Sequence, residues 1–189
     1  MFHHVFPQTI GEDKNPNYLR HMIDLITHIE QTNERFLYNP HTHSQTNPVM
    51  GDLMVWIDKC VNKYAQHLNF PDEYTCSESW IHDYEMNTYQ PWHTHAGNII
   101  SAVYIIQANA ELDTKLYFKS PVTDMMNPFN SNMNSYNKGY DVNEYNNEQV
   151  AYPSTPGVLY TFRSHLEHSI TQKVTDTKRV ILALNYNRT

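Results

Sequence analysis

Gln90-Pro91-Trp92-His93-Thr94-His95-Ala96-Gly97-Asn98, followed directly by Ile99-Ile100-Ser101-Ala102-Val103-Tyr104-Ile105-Ile106, is the stretch on which the fold is decided. Two histidines one residue apart precede an apolar, β-branched run. In extended backbone, residues i and i+2 share a face. His93 and His95 can therefore aim two imidazoles at one point, and neutral imidazole binds iron, zinc, copper and nickel. A third ligand is offered far downstream. There Gly157-Val158-Leu159-Tyr160-Thr161-Phe162-Arg163-Ser164-His165-Leu166-Glu167-His168 reads as a strand ending on a histidine.

Spacing alone does not make a metal site in a chain with 12 histidines. A second His-x-His, His41-Thr42-His43, is an internal control. It lies between Pro40 and Pro48, in a run of turn formers with no strand after it, and reads as a solvated loop. The 93/95 pair differs because a strand follows it.

The 189 residues suffice for one domain with a sizeable core. Hydrophobic content of 40% places the chain among folded proteins. The formal charge of −7 argues against a general nucleic-acid surface, which is normally basic. Two cysteines, Cys60 and Cys76, make no disulfide framework, which fits a cytoplasmic location. No stretch reads as a signal peptide or a transmembrane helix, so no membrane partner is expected.

Phe2, Val5 and Phe6 suggest a short edge strand. Leu19, Met22, Ile23, Ile26 and Ile29 recur at helical spacing behind Asn17, an N-cap, and predict an amphipathic helix over about 18–34. His21 and His28 fall just off that stripe and read as surface or boundary residues. Val49, Leu53, Trp56, Ile57, Cys60, Val61, Tyr64 and Leu68 predict a second helix over about 48–68, with Cys60 a buried thiol. From there the period changes to 2. Strands are predicted at about 79–86, 99–106, 115–119, 157–163 and 178–187. Residues 121–150, rich in Asn, Met and Tyr, read as a long loop, either a binding segment or an insertion. Trp80 reads as core, and Trp92 stays open between core and pocket wall. Two helices followed by many short strands predict an α+β fold, a sheet-rich barrel or sandwich with helices on one face. The helical part spans about 1–75 and the sheet part about 76–189.

Four features fall in order: His93-x-His95, an apolar strand, His168, and Arg179 opening a further strand. With these the chain resembles the iron(II)- and 2-oxoglutarate-dependent oxygenases, in particular a prolyl-hydroxylase-like subfamily with an H-x-H…H…R pattern. The matching segments are His93-Thr-His95, Ser101-Ala-Val-Tyr104, Gly157 to His168, and Arg179-Val-Ile-Leu-Ala-Leu-Asn185. The resemblance covers about residues 76–189. It implies a double-stranded β-helix, a cupin-like jelly-roll barrel, with the N-terminal helices packed on its larger sheet. It implies Fe(II) held by His93, His95 and His168, and 2-oxoglutarate as cosubstrate. The far carboxylate of that keto acid falls to Arg179, whose planar fork meets a carboxylate bidentately. Tyr104 and Asn185 are expected to help. The implied activity is a dioxygenase that hydroxylates a C–H bond of a peptide or small-molecule substrate and releases succinate and CO2.

The departures from the family pattern matter. Its commoner form carries a carboxylate where this chain has His95. Three neutral ligands leave the metal its full charge until the dianionic cosubstrate binds, which lets zinc or nickel compete. A second frame, His95-Ala96-Gly97, resembles that of halogenating relatives, in which chloride fills the vacant position. His165 is an alternative to His168. The serine often found two residues after the arginine is Ile181 here, so the hydroxyl is expected from elsewhere, with Tyr104 the candidate. Two other readings stay open: a three-histidine cupin-type dioxygenase that needs no keto acid, and a non-catalytic metal-binding jelly-roll module.

Overall fold

The two helical stripes and the change to period 2 are carried through into the computed structural model, which describes residues 8–32, 48–111, 115–121 and 148–189. The elements in chain order are β1 (Gly11–Lys14), α1 (Tyr18–Thr32), α2 (Pro48–His67), β2 (Tyr74–Tyr84), β3 (Gln90–His93), β4 (Ile100–Gln107), β5 (Leu116–Lys119), β6 (Gln149–Tyr152), β7 (Val158–Arg163), β8 (His168–Ile170) and β9 (Arg179–Arg188). The edge strand expected at 2–6, the control pair His41 and His43, and most of the loop expected at 121–150 lie outside the described residues.

The strands form two antiparallel sheets. Among the described residues, one has five strands in the order β1-β7-β4-β9-β2, the other four in the order β3-β8-β5-β6. From β2 onward the chain passes back and forth between the two sheets, with β5 and β6 as a pair in the smaller one. This interleaving is a double-stranded β-helix. The helices pack on the outer face of the larger sheet, as expected.

Strand β9 shows how the sequence divides the two faces. Val180, Leu182, Leu184 and Tyr186 join Leu25, Ile29, Leu53, Ile57 and Val61 of the helices in one core. Ile181 and Ala183 face the barrel interior, with Val103, Ile105, Tyr160 and Phe162 from the larger sheet and Leu116, Phe118 and Ile170 from the smaller.

The structure corrects several sequence expectations. The stripe of α1 is rotated: His21, Leu25 and Ile29 are buried, whereas Leu19 and Ile23 are 67% and 57% exposed. His21, expected at the surface or boundary, is tolerated inside because its Nδ1 bonds Asn15 Nδ2 at 2.9 Å. Strands β3 and β6 form where no strand was predicted, β6 overlapping the end of the expected loop. His168 opens β8 rather than ending β7, with a turn between the two.

Candidate active site

His93 closes β3 and His168 opens β8, and the two are partners in the register of the smaller sheet. Directly opposed residues sit side by side on one face, and their ring centroids lie 4.2 Å apart. His95 stands two residues further on, in the turn that leads to β4. Its amide donates to the Ser164 carbonyl at 2.9 Å, and Asn98 N donates to the His95 carbonyl at 3.2 Å. Gly97 adopts φ +86°, a left-handed conformation that favours glycine, which lets the turn close. The His95 ring is thereby brought to 5.2 Å from His93 and 5.0 Å from His168. One ligand atom from each of the three rings lies within 4.8 Å of the other two.

The tautomers follow from the neighbours. His93 Nδ1 lies 2.8 Å from the Pro91 carbonyl, and His168 Nδ1 lies 2.9 Å from the Leu166 carbonyl. A carbonyl only accepts, so both Nδ1 atoms carry hydrogen and both Nε2 lone pairs are left for a cation. His168 Nε2 and His95 Nε2 approach to 3.2 Å. Two neighbouring nitrogens on one first-row cation lie roughly 3 Å apart at metal–nitrogen distances of about 2.1 Å. The donor set therefore fits a divalent transition metal. Burial is the main reason that His168 is pushed down to about 3, with His93 and His95 acting in the same sense against the Leu166 carbonyl. Burial and His93 lower His95 to about 4, against the opposing charge of Glu78. Both rings thus stay neutral, the form that binds metal.

The three rings form one wall of a cavity of about 190 Å³ inside the barrel. Strand β2 contributes Trp80, His82 and Tyr84, β9 contributes Ile181 and Ala183, and Val103, Leu116, Ile170 and Gln90 complete the lining. Trp80, expected in the core, packs against the inner core and also walls the cavity, with its ring system 5.7 Å from His95. Trp92 is 39% exposed and is not part of the lining of this cavity. His82 and Tyr84, stacked at 4.1 Å, were not singled out from the sequence. The signal was present, since Trp80, His82 and Tyr84 share one face of a strand by the same i, i+2 rule that paired the histidines.

Arg179 is fully buried at the start of β9, opposite Tyr84 and one inward-facing position beyond Ile181. Its Nε donates to Ser154 Oγ at 3.2 Å, and its guanidinium lies 4.4 Å from the centre of the Tyr84 ring. His165 is exposed and takes no part in the histidine group. Tyr104 is a correction. It belongs to the core under the helices, where its hydroxyl accepts from Asn15 Nδ2 at 2.8 Å and its ring meets Trp56 edge-on. Its hydroxyl therefore cannot reach a cosubstrate in the barrel. Asn185 faces inward as Arg179 does, but six residues along a strand span about 20 Å. It stands at the histidine end, bonded to Glu78 and Ser101, too far away to share a carboxylate with Arg179.

Among the described residues, no helix is long and apolar enough to cross a membrane. Comparison with curated proteins gives no match. Solved structures with a similar fold include a Pseudomonas putida prolyl-4-hydroxylase, with a TM-score of 0.64 and 12% identity over 96% of this chain and 89% of that one. HygX from Streptomyces hygroscopicus with iron bound has a TM-score of 0.61 at 12% identity, over 96% of this chain and 83% of HygX. The same protein with nickel and 2-oxoglutarate bound gives 0.60 at 13% identity, with the same coverage. At such identities the likeness speaks for the fold. Sequence evidence comes from the family model described as "Putative 2OG-Fe(II) oxygenase", which matches residues 78–185. That match takes in the histidine turn, β8 and Arg179, and it spans more than half of the chain, which therefore belongs to the 2OG-Fe(II) oxygenases, whose cofactor is iron(II) and whose cosubstrate is 2-oxoglutarate.

Proposed function

We propose that this protein is a hydroxylase of that family, acting on a C–H bond of a peptide or small-molecule substrate and releasing succinate and CO2. The observation that carries the reading is the convergence of three imidazoles on one wall of a barrel cavity whose lining strands also carry a buried arginine. In this reading His93 and His168 hold the iron through the nitrogens left free by the Pro91 and Leu166 carbonyls, and His95 adds the third imidazole. With both bound, iron and the keto acid supply the oxidative decarboxylation that drives oxygen into the substrate.

The chain's own residues do the rest. Arg179 receives the far carboxylate, and its fork allows two parallel hydrogen bonds. The Tyr84 ring against the guanidinium restricts the orientation of that fork. Val103, Leu116, Ile170 and Ile181 give the cavity apolar walls, which exclude water and strengthen every charge interaction inside. HygX, similar in fold, is solved with nickel and 2-oxoglutarate bound, which supports the same cosubstrate here.

The test is an anaerobic titration with iron(II) and then 2-oxoglutarate, followed by the visible metal-to-ligand charge-transfer band. The band is expected in the wild type and absent in His168→Ala. Air should then release succinate only when both additions are present. Iron binding without the band and without succinate would leave a metal-binding jelly roll and remove the oxygenase reading.

A further inference from the structure

Beside the turn that carries His95 lies a polar chain that neither the metal site nor the cosubstrate site uses. Asn185, Ser101 and Ser164 are each at most 1% exposed. Ser101 Oγ donates to Asn185 Oδ1 at 2.7 Å. Its single hydrogen is thereby spent, so in the 2.8 Å bond between Ser101 and Ser164 the donor is Ser164. Asn185 Nδ2 in turn donates to Glu78 Oε1 at 2.6 Å. The chain therefore runs in one direction, from Ser164 through Ser101 and Asn185 to a carboxylate.

Both ends of this chain touch the histidine turn. The backbone carbonyl of Ser164 accepts from His95 N at 2.9 Å. Asn98, three residues after His95, donates through Nδ2 to the same Glu78 oxygen at 3.3 Å, and its Oδ1 accepts from Asn187 Nδ2 at 2.9 Å. Glu78 is the partner of Asn185 across β2 and β9, at a bulge that re-aims the strand. Its side chain is solvent-facing, but Oε1 is held from two sides.

We propose that Asn185 and Glu78 are positioning residues of the metal site. Asn185 ties the Ser101–Ser164 pair to Glu78, and the same Glu78 oxygen holds Asn98, so the turn that carries His95 is fixed from both sides. Groups outside the ligand shell that fix the orientation of a ligating side chain set metal affinity along with the ligands themselves. The inference rests on His93, His95 and His168 being the ligands.

The test uses the full chain and cobalt(II) alone, followed by its visible ligand-field absorption. Glu78→Gln keeps the size and an acceptor for Asn185 while removing the charge. Asn185→Ala cuts the chain. Removing such outer partners costs about 10- to 100-fold in metal affinity. Glu78→Gln is expected near the lower end, with an unchanged metal-free melting temperature, because its side chain is on the surface. Glu78→Asp should recover part of the loss. Combining Glu78→Gln with Asn185→Ala should be less than additive, because the two act through one chain. If Asn185→Ala fails to fold, Glu78→Gln decides alone. Wild-type cobalt affinity in Glu78→Gln, or a lowered melting temperature with unchanged affinity, overturns the inference and leaves the metal site standing. Failure of the wild type to bind cobalt removes the site and the inference together.

Discussion

The two faces of the larger sheet are made by the same strands and do opposite work. On the outer face, Tyr104, Leu182, Leu184 and Tyr186 pack against α1 and α2, and the polar atoms there are tied inside the fold: Tyr104 to Asn15, and Tyr186 to Asp58 at 2.7 Å. On the inner face, Val103, Ile181 and Ala183 line a cavity with His82, Tyr84 and the histidine group, and Arg179 is buried one position further along. Neighbouring residues in β9 thus belong to different chemistries. Stability is concentrated outside the barrel, where large apolar side chains interlock. Function is concentrated inside, where the lining leaves room for a guest.

The sharpest way to break this comparison is at the histidines. His93→Ala or His168→Ala should abolish stable iron(II) binding, as measured by equilibrium dialysis, with the fold retained by circular dichroism. Iron retained at wild-type affinity in both variants would mean that the inner face does not hold the metal.

Arg179 comes next. Removing one partner of a buried charge pair costs about 3–5 kcal/mol, so Arg179→Ala should raise the KM for 2-oxoglutarate roughly a hundred- to a thousandfold. Arg179→Lys keeps the charge, loses the fork and should fall between. Iron binding should survive in both. An unchanged KM in active Arg179→Ala would favour a keto-acid-independent dioxygenase.

Adjacent residues give the direct contrast. Leu182→Ala, on the outer face, should destabilise by about 2–5 kcal/mol through the cavity it leaves, with the KM of the folded protein near normal. Ile181→Ala opens the cavity wall and should shift the KM more than Leu182→Ala does. Urea melts and succinate assays on the pair decide it, and the reverse ranking would invert the assignment of faces.

Acid sharpens the comparison from the other side. His168 and His95, lowered to about 3 and about 4, are held neutral by the fold, whereas the unfolded chain takes up their protons near pH 6.5. Between those values the unfolded state binds more protons, so stability rises with pH. Metal-free protein should therefore keep full stability above about pH 6.5 and lose it as the pH falls toward 4 and below. His168→Gln should flatten that slope in melts taken from pH 7 to 4.

The smallest effect is expected at Tyr104. Tyr104→Phe removes the hydroxyl that accepts from Asn15 and should cost about 0.5–1.5 kcal/mol of stability, leaving the 2-oxoglutarate KM unchanged. A raised KM would return Tyr104 to the cosubstrate.

Much of this was readable in the chain. The two helices followed from 3.6-residue stripes, the strands from period 2, and the order His93, His95, His168 and Arg179 from the residues themselves. What the sequence could not decide was which way certain strands face. β4 is buried on both sides along almost its whole length. A strand apolar on both faces carries no alternation, and a shift of one residue exchanges every side chain between faces. Tyr104 and Val103 could not be sorted until α1, α2 and Asn15 were seen on one side and the cavity on the other. The short strands β3, β6 and β8, of three or four residues, hold too little pattern to be read locally. They exist because neighbouring strands complete their hydrogen bonds. Asn185 shared a face with Arg179 by parity alone. Its place beside the histidines, some 20 Å from that arginine, was set by the pairing of β9 with β2 and β4, a property of the assembled sheet and not of any one segment.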